Sequence, residues 1–294
     1  MFPPELVRQI RLLELRTDHV VDEITGGAYR SIFKGRGIEF DEVREYTSDD
    51  DVRLIDWNVS ARMGTPYVKK FVEERELTVM FLVDVSASGA FGSAEKSKRQ
   101  TAAELAALLA FSAGKNGDKV GLMMFSDRIE LILPPRSGRK HALHLISEML
   151  RFQPRSRGTD IDLALKECAR IMKKRGIVFL LSDLIEPEKF SSTLKQLRRR
   201  QDVIALEIFD AIETSWDISQ PIEFEDAETG EIIHYSGGAS ALGAELAAAQ
   251  EAKEKVCRDA RCDLIKVQTG TDVLTPVIEF FAARKSHASG TRRS

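Results

Sequence analysis

The sequence predicts an α/β fold: a doubly wound, mostly parallel sheet, preceded by an N-terminal helix and a small β-rich segment. Three observations predict it. From residue 76 onward, short apolar runs alternate with stretches of helical length. The runs at 79–83 and 177–181 are apolar at every position, the pattern of strands buried on both faces. Gly, Asn-Gly and Pro-Pro punctuate the boundaries between runs and helical stretches.

The elements follow in order. Residues 3–25 predict an amphipathic helix: Leu6, Ile10, Leu13, Val20 and Ile24 recur near helical spacing, Pro3-Pro4 suits the first turn, and Gly26-Gly27 stops it. Residues 28–75 have extended stretches at 38–46 and 67–72 around the acidic run Asp49-Asp50-Asp51 and the motif Ile55-Asp56-Trp57-Asn58. Then come a buried strand at 77–85, an Ala/Leu-rich helix at 94–117 and strands at 120–125 and 129–133, the last stopped by Pro134-Pro135. Helices are expected at 140–152 and 161–175, a strand at 177–181, a helix at 189–200 and a strand at 203–209. Residues 211–237 break the alternation and read as a hairpin on the sheet edge, with Glu228-Thr229-Gly230 at its turn. A helix at 240–260, a strand at 264–267 and a helix at 272–284 complete the pattern. The expected organisation is therefore an N-terminal unit over 1–75, an α/β domain over 76–285 with its insert at 211–237, and a flexible tail over 286–294.

Composition narrows the function classes. The 294 residues suffice for one large domain or two modest ones. Against 46 Asp+Glu stand 43 Lys+Arg, a net charge of −3, which argues against a nucleic-acid coat or a polybasic membrane binder. Three cysteines, Cys168, Cys257 and Cys262, are too few for a disulfide scaffold and fit a reducing compartment. No apolar run approaches a membrane span, and Glu5, Arg8 and Arg11 break up the N-terminus, so a cytoplasmic protein is expected.

The informative chemistry lies at strand ends. Asp84-Val85-Ser86-Ala87-Ser88 follows the first buried strand directly, where ligands sit in open α/β sheets. Thr159 precedes the helix expected at 161, and Asp183 follows the strand at 177–181. Two carboxylates and three hydroxyls from three loops form an all-oxygen donor set, which favours Mg²⁺ or Mn²⁺ over Zn²⁺. With only two formal negative charges, such a set leaves the ion electrophilic toward an external carboxylate.

The positions Asp84, Ser86, Ser88, Thr159 and Asp183, each at a strand or helix end, resemble the metal-ion-dependent adhesion site of von Willebrand factor A domains over about residues 76–285. That resemblance implies a Rossmann-type sheet of order 3-2-1-4-5-6 with Asp84 and Asp183 on neighbouring central strands. It also implies Mg²⁺ held directly by Ser86, Ser88 and in some states Thr159, with aspartates acting through water and a partner's Asp or Glu completing the octahedron. The motifs Tyr29-Arg30-Ser31, Gly35-Arg36-Gly37-Ile38-Glu39-Phe40, Arg44-Glu45-Tyr46, Asp50-Asp51-Val52-Arg53, Ile55-Asp56-Trp57-Asn58 and Ala61-Arg62 resemble domain-of-unknown-function family 58. Bacterial proteins of that family are commonly encoded beside MoxR-type AAA ATPases. The resemblance therefore implies a non-enzymatic, metal-dependent interaction module. Its partners would be a MoxR-like AAA ATPase and a client offering an acidic side chain, in assembly or cofactor insertion of other complexes. Two departures stand out: Thr47-Ser48-Asp49 replaces a Pro-Gly turn, and Gly89 replaces a bulky Met.

Other features carry simpler expectations. Asp50-Asp51 and Asp56-Trp57-Asn58 read either as a docking surface or as a turn anchored by a buried Trp, the packing role being preferred. Lys173-Lys174-Arg175 and Arg198-Arg199-Arg200 read as solvated helix ends. His141 and His144 lack further zinc ligands at suitable spacing. The competing functional class is a Mg²⁺- or Mn²⁺-dependent phosphoesterase built on Asp84, Asp160 and Asp183, with Asp127 as an added carboxylate. A metal-free scaffold is the third.

Overall fold

A computed structural model of the chain describes residues 38–48, 50–73, 76–92, 95–213, 222–225, 227–235 and 239–290. The helix expected at 3–25, the motifs at 29–31 and 35–37, Asp49 and the last four residues lie outside these.

Strands β1 (Ile38–Glu45) and β2 (Tyr67–Glu73) form an antiparallel ribbon. Between them lie a 3-10 turn at Val52–Leu54 and helix α1 (Trp57–Met63). The acidic residues here are structural. Asp50 takes a two-pronged ion pair from Arg44 at 2.6 and 2.8 Å and accepts the Thr47 backbone N–H, so a carboxylate does the work expected of a Pro-Gly turn. Asp51 caps the 3-10 turn, and Asp56 caps α1 by accepting from the N–H groups of Asn58 and Val59. Trp57 corrects the preferred expectation. It is 67% exposed rather than a buried anchor, while Asp56 serves the helix start by accepting the Asn58 and Val59 N–H groups.

The remaining chain is a six-stranded sheet with helices on both faces. Its elements are β3 (Thr78–Asp84), α2 (Lys98–Lys115), β4 (Lys119–Phe125), β5 (Ile129–Arg136), α3 (Arg139–Arg151), α4 (Ile161–Ile171), β6 (Ile177–Ser182), α5 (Pro187–Arg198) and β7 (Asp202–Phe209). Then follow β8 (Ile222–Glu225), β9 (Ile232–Tyr235), α6 (Ala239–Ala260), β10 (Asp263–Gln268) and α7 (Thr275–Gly290). The order is β10-β7-β6-β3-β4-β5, parallel except for β5. Counted within this sheet alone, that is the 3-2-1-4-5-6 order, and the direction of winding reverses between β3 and β6.

Strand alternation divides the core. Val79, Phe81 and Val83 face α2, α3 and α7, while Met80 and Leu82 face α4, α5 and α6. Phe81 and Phe179, paired across β3 and β6, stack with centroids 5.4 Å apart, worth about 1 kcal/mol beyond their burial. Helix α2 is Ala-rich and buried over Thr101–Ala113, so it lies close on the sheet, and its start is fixed by a Ser97–Gln100 capping box.

Four local expectations are corrected. β5 runs through Pro134 and Pro135 to Arg136, because as an edge strand it needs ladder bonds on one side only. α4 ends at Ile171, so Lys173-Lys174-Arg175 lie in the following loop rather than on the helix. The hairpin β8–β9 is a separate two-stranded sheet, not an extension of the large sheet's edge. The last helix continues to Gly290, past the expected start of the tail.

Gly176 illustrates how tightly the loop before β6 is seated. A Cβ there would collide with the Thr78 carbonyl oxygen, and the Gly176 N–H donates to the buried Gln201 side chain at 2.7 Å. Gly176→Ala is expected to destabilise the fold by about 2 kcal/mol through overpacking, read as a lower urea midpoint with unchanged slope.

Candidate metal centre

The site forms where the winding reverses. The β3–β6 register pairs Val83 with Leu181, so Asp84 and Ser182 end neighbouring strands at the same level. Asp183 is the next residue, and Leu184 then adopts φ 55, a left-handed conformation unusual for a branched side chain. The Leu184 N–H donates to Ser182 Oγ at 3.1 Å, which fixes this sharp turn. On the β3 side, a 3-10 turn at Ala87–Ala90 brings Ser86 and Ser88 back toward Asp84.

The contacts are dense and polar. Asp84 Oδ1 accepts the Ser86 N–H at 2.9 Å, and Oδ2 accepts the Ser182 hydroxyl at 2.7 Å. Ser86 Oγ and Ser88 Oγ lie 3.0 Å apart. Asp84 and Asp183 are 7% and 8% exposed. Burial, and after it the charge of Asp183, push the Asp84 carboxyl up to about 7, outweighing the hydrogen bonds that hold it down. One cleft is lined by Asp84, Ser88, Lys98, Arg99 and Asp183, with Gly89 at its rim. A Cβ at Gly89 would make only ordinary contact with the Arg99 side chain, so the missing Met reflects no backbone requirement.

The first residue of α2 supplies a cation. Lys98 Nζ donates to Asp183 Oδ2 at 3.0 Å and to Glu213 Oε1 at 2.7 Å, and Lys98 is 5% exposed. Burial alone would lower its pKa; the charges of Asp183 and Glu213 overcome that and hold it above the ordinary lysine value. Arg99 adds a second positive group whose Nε, among the described residues, is buried without a hydrogen-bond partner.

Thr159 is placed differently from the other four predicted residues. Its loop is tied to the serine turn, since the Ala87 N–H donates to the Arg157 carbonyl at 2.9 Å. Its hydroxyl, however, donates to Glu228 Oε1 at 2.5 Å, on the β8–β9 turn. Arg157 clamps the same turn, donating from Nε and Nη2 to the Ala227 carbonyl at 3.1 and 2.8 Å. Asp84, Ser86, Ser88 and Asp183 thus gather at one point, while Thr159 borders it with its hydroxyl engaged by the hairpin. Asp160 caps α4 through the Leu163 N–H, and Asp127 pairs with Arg128 near the surface.

The donor set suits a hard divalent ion. Two buried carboxylates share the point with two hydroxyls, and Lys98 pairs with only one of those carboxylates. Among the described residues no three His, Cys, Asp or Glu side chains converge, so any metal held here relies on hydroxyl oxygens and water besides Asp84 and Asp183. His141 bonds the Val120 carbonyl and His144 faces Glu148, both away from zinc chemistry. The sequence reading missed Lys98, Glu213 and Arg157, and it placed Ser182 after its strand and Glu228 in the hairpin turn without giving either a role. For Lys98 a signal existed: a lysine in the first turn of a buried helix is opposed by the macrodipole and needs an acidic neighbour.

Two outcomes follow from this geometry. Asp84 holds its proton more firmly in the folded chain than at its ordinary value of 3.8, so the stabilisation from protonation is fully present below about pH 4 and is lost as pH rises through about 7. In EDTA, the parent should lose stability to urea between pH 4 and 8 relative to Asp84→Asn, which lacks this dependence. Separately, Arg157→Ala should release the hairpin, raising amide exchange over 227–235 severalfold while β3 and β6 stay protected.

Relatives cover nearly all of the chain. An uncharacterized protein of Mycobacterium tuberculosis (strain ATCC 25618 / H37Rv) is 30% identical over 291 residues, 97% of this chain and 92% of the relative, and one of Mycobacterium bovis matches equally. Among solved structures, the conserved hypothetical protein BatB from Bacteroides thetaiotaomicron is 16% identical. The alignment covers 73% of this chain and 99% of that one, with a TM-score of 0.48. An aerotolerance-related membrane protein from Bacteroides fragilis is 17% identical, over 72% and 99% of the chains, with a TM-score of 0.45. Among the described residues of this chain, no helix is long and apolar enough to cross a membrane. The family model described as protein of unknown function DUF58 matches residues 42–256, and the chain belongs to that family.

Proposed function

We propose that this chain is a metal-dependent protein-interaction module that captures an acidic side chain of a client protein. The observation that carries this reading is the convergence of Asp84, Ser86, Ser88 and Asp183 at the strand ends where the winding reverses. A bound Mg²⁺ or Mn²⁺ would supply the positive charge that a client carboxylate seeks. Ser86 and Ser88 offer neutral oxygens, Asp84 and Asp183 offer the balancing charge, and Thr159 stands at the border of the site. Ser182 orients Asp84 through its hydroxyl, and the left-handed turn at Leu184 fixes Asp183.

The non-enzymatic reading is supported by where the other carboxylates go. Asp160 and Asp127, which a hydrolytic site would recruit, are engaged in a helix cap and a surface ion pair. A MoxR-type AAA ATPase as the working partner, in assembly or cofactor insertion of other complexes, rests on the family resemblance. A cytoplasmic location is supported by three free, buried cysteines.

The test is capture of client protein from the native host's lysate on the immobilised chain, with Mg²⁺ or with EDTA. Capture is expected to require Mg²⁺ and to be lost in Asp84→Ala and in Ser86→Ala/Ser88→Ala. The same proteins retained in EDTA and by both variants would reject the metal-dependent reading. Turnover of a phosphomonoester or phosphodiester with Mn²⁺, abolished by Asp183→Ala, would replace it with the hydrolytic one.

A further inference from the structure

Lys98 is an unusual lysine. It is buried, it begins a helix whose dipole disfavours a cation at that end, and it sits inside the cleft lined by Asp84 and Asp183. Two carboxylates hold it there, Asp183 from the turn after β6 and Glu213 from the 3-10 turn Ala211–Glu213 after β7. Glu213 is itself anchored. Its Oε2 accepts the Asp210 N–H at 2.9 Å, and Asp210 accepts the Thr269 hydroxyl at 2.6 Å. Among the described residues no cation is hydrogen-bonded to Asp84, whose oxygens take the Ser86 N–H and the Ser182 hydroxyl; Arg99 faces it only through its charge. The ammonium is therefore directed at one carboxylate of the proposed metal set and at a second carboxylate outside it.

From this geometry we propose that Lys98 is the resident cation of the site. It neutralises Asp183 in the metal-free chain, yields Asp183 when a divalent ion binds, and remains paired with Glu213. The proposal rests on the metal-centre reading and adds a residue that sets how tightly the ion is held. An ammonium and a divalent cation competing for one buried carboxylate repel each other, so Lys98 weakens metal binding. Glu213 gives the displaced ammonium a fixed partner, so metal binding need not leave a buried charge unpaired. A lysine that only filled space would leave metal affinity unaltered on replacement by methionine, which has a similar length and no charge.

The experiment is a Mn²⁺ titration of the intact chain followed by electron paramagnetic resonance, comparing the parent, Lys98→Met, Lys98→Met/Glu213→Gln and Asp84→Ala. Lys98→Met is expected to bind Mn²⁺ at least about tenfold more tightly than the parent. The double variant, which removes both members of the outer ion pair, keeps the test open if the single variant does not fold, and tighter binding is expected there too. Binding detectable only in the Lys98 variants would support the proposal in its strongest form. Unchanged or weaker affinity in the Lys98 variants, with parent binding abolished by Asp84→Ala, would overturn the role of Lys98 and leave the metal centre standing. Mn²⁺ binding in none of the four proteins would overturn both.

Discussion

Two carboxylates buried side by side at the ends of adjacent parallel strands are the constraint around which the site is organised. In a doubly wound sheet β3 and β6 are the most enclosed strands, so Asp84 and Asp183 lie where charge is costly. Several nearby polar groups reduce that cost. Ser182 and the Ser86 N–H bond Asp84, Lys98 pairs with Asp183, and burial leaves Asp84 ready to hold a proton near neutrality. The same residues that make the pair tolerable without metal are oxygen donors and charges to which a divalent ion responds. The proposed binding would therefore draw on the contacts that stabilise the fold, and the apolar layers on either side of the sheet hold that set in place.

Much of this was legible because the signals were local. An uninterrupted apolar run identifies a doubly covered strand, and a polar residue immediately after it marks the carboxyl end, so Asp84 and Asp183 could be placed from the sequence. Ser86 and Ser88 followed from spacing. What was not legible depended on contacts distant in sequence. Lys98 meets Asp183 across 85 positions and Glu213 across 115, and Thr159 meets Glu228 across 69. No periodicity encodes such pairings. The misreading of Pro134-Pro135 as a strand stop has a similar origin, since only the sheet order shows that β5 is an edge.

The N-terminal ribbon separates two roles that the sequence presents together. Asp50, Asp51 and Asp56 shape turns and caps, each accepting nearby N–H groups. Val52, Leu54, Trp57 and Met63, from the same stretch, are exposed. The acidic residues in this family signature are thus a local scaffold, and the apolar ones are what the scaffold displays. The expectation of a buried Trp failed at the start of α1, where Asp56 accepts two backbone N–H groups and Trp57 beside it stands exposed.

The hairpin gives the site a second boundary. The Thr159 hydroxyl has one hydrogen to donate, and Glu228 receives it. Arg157 holds the same turn through the Ala227 carbonyl while its own carbonyl accepts from Ala87, between the two serines. The serine turn, the threonine loop and the hairpin tip are therefore linked by consecutive hydrogen bonds, and a displacement of one is felt by the next. A carboxylate already rests on the threonine of the site, contributed by the chain itself. Any other acceptor for the hydrogen of Thr159 would have to take it from Glu228. The contact comes from the hairpin insert and not from the large sheet, so the surroundings of Thr159 depend on an element outside the parallel core.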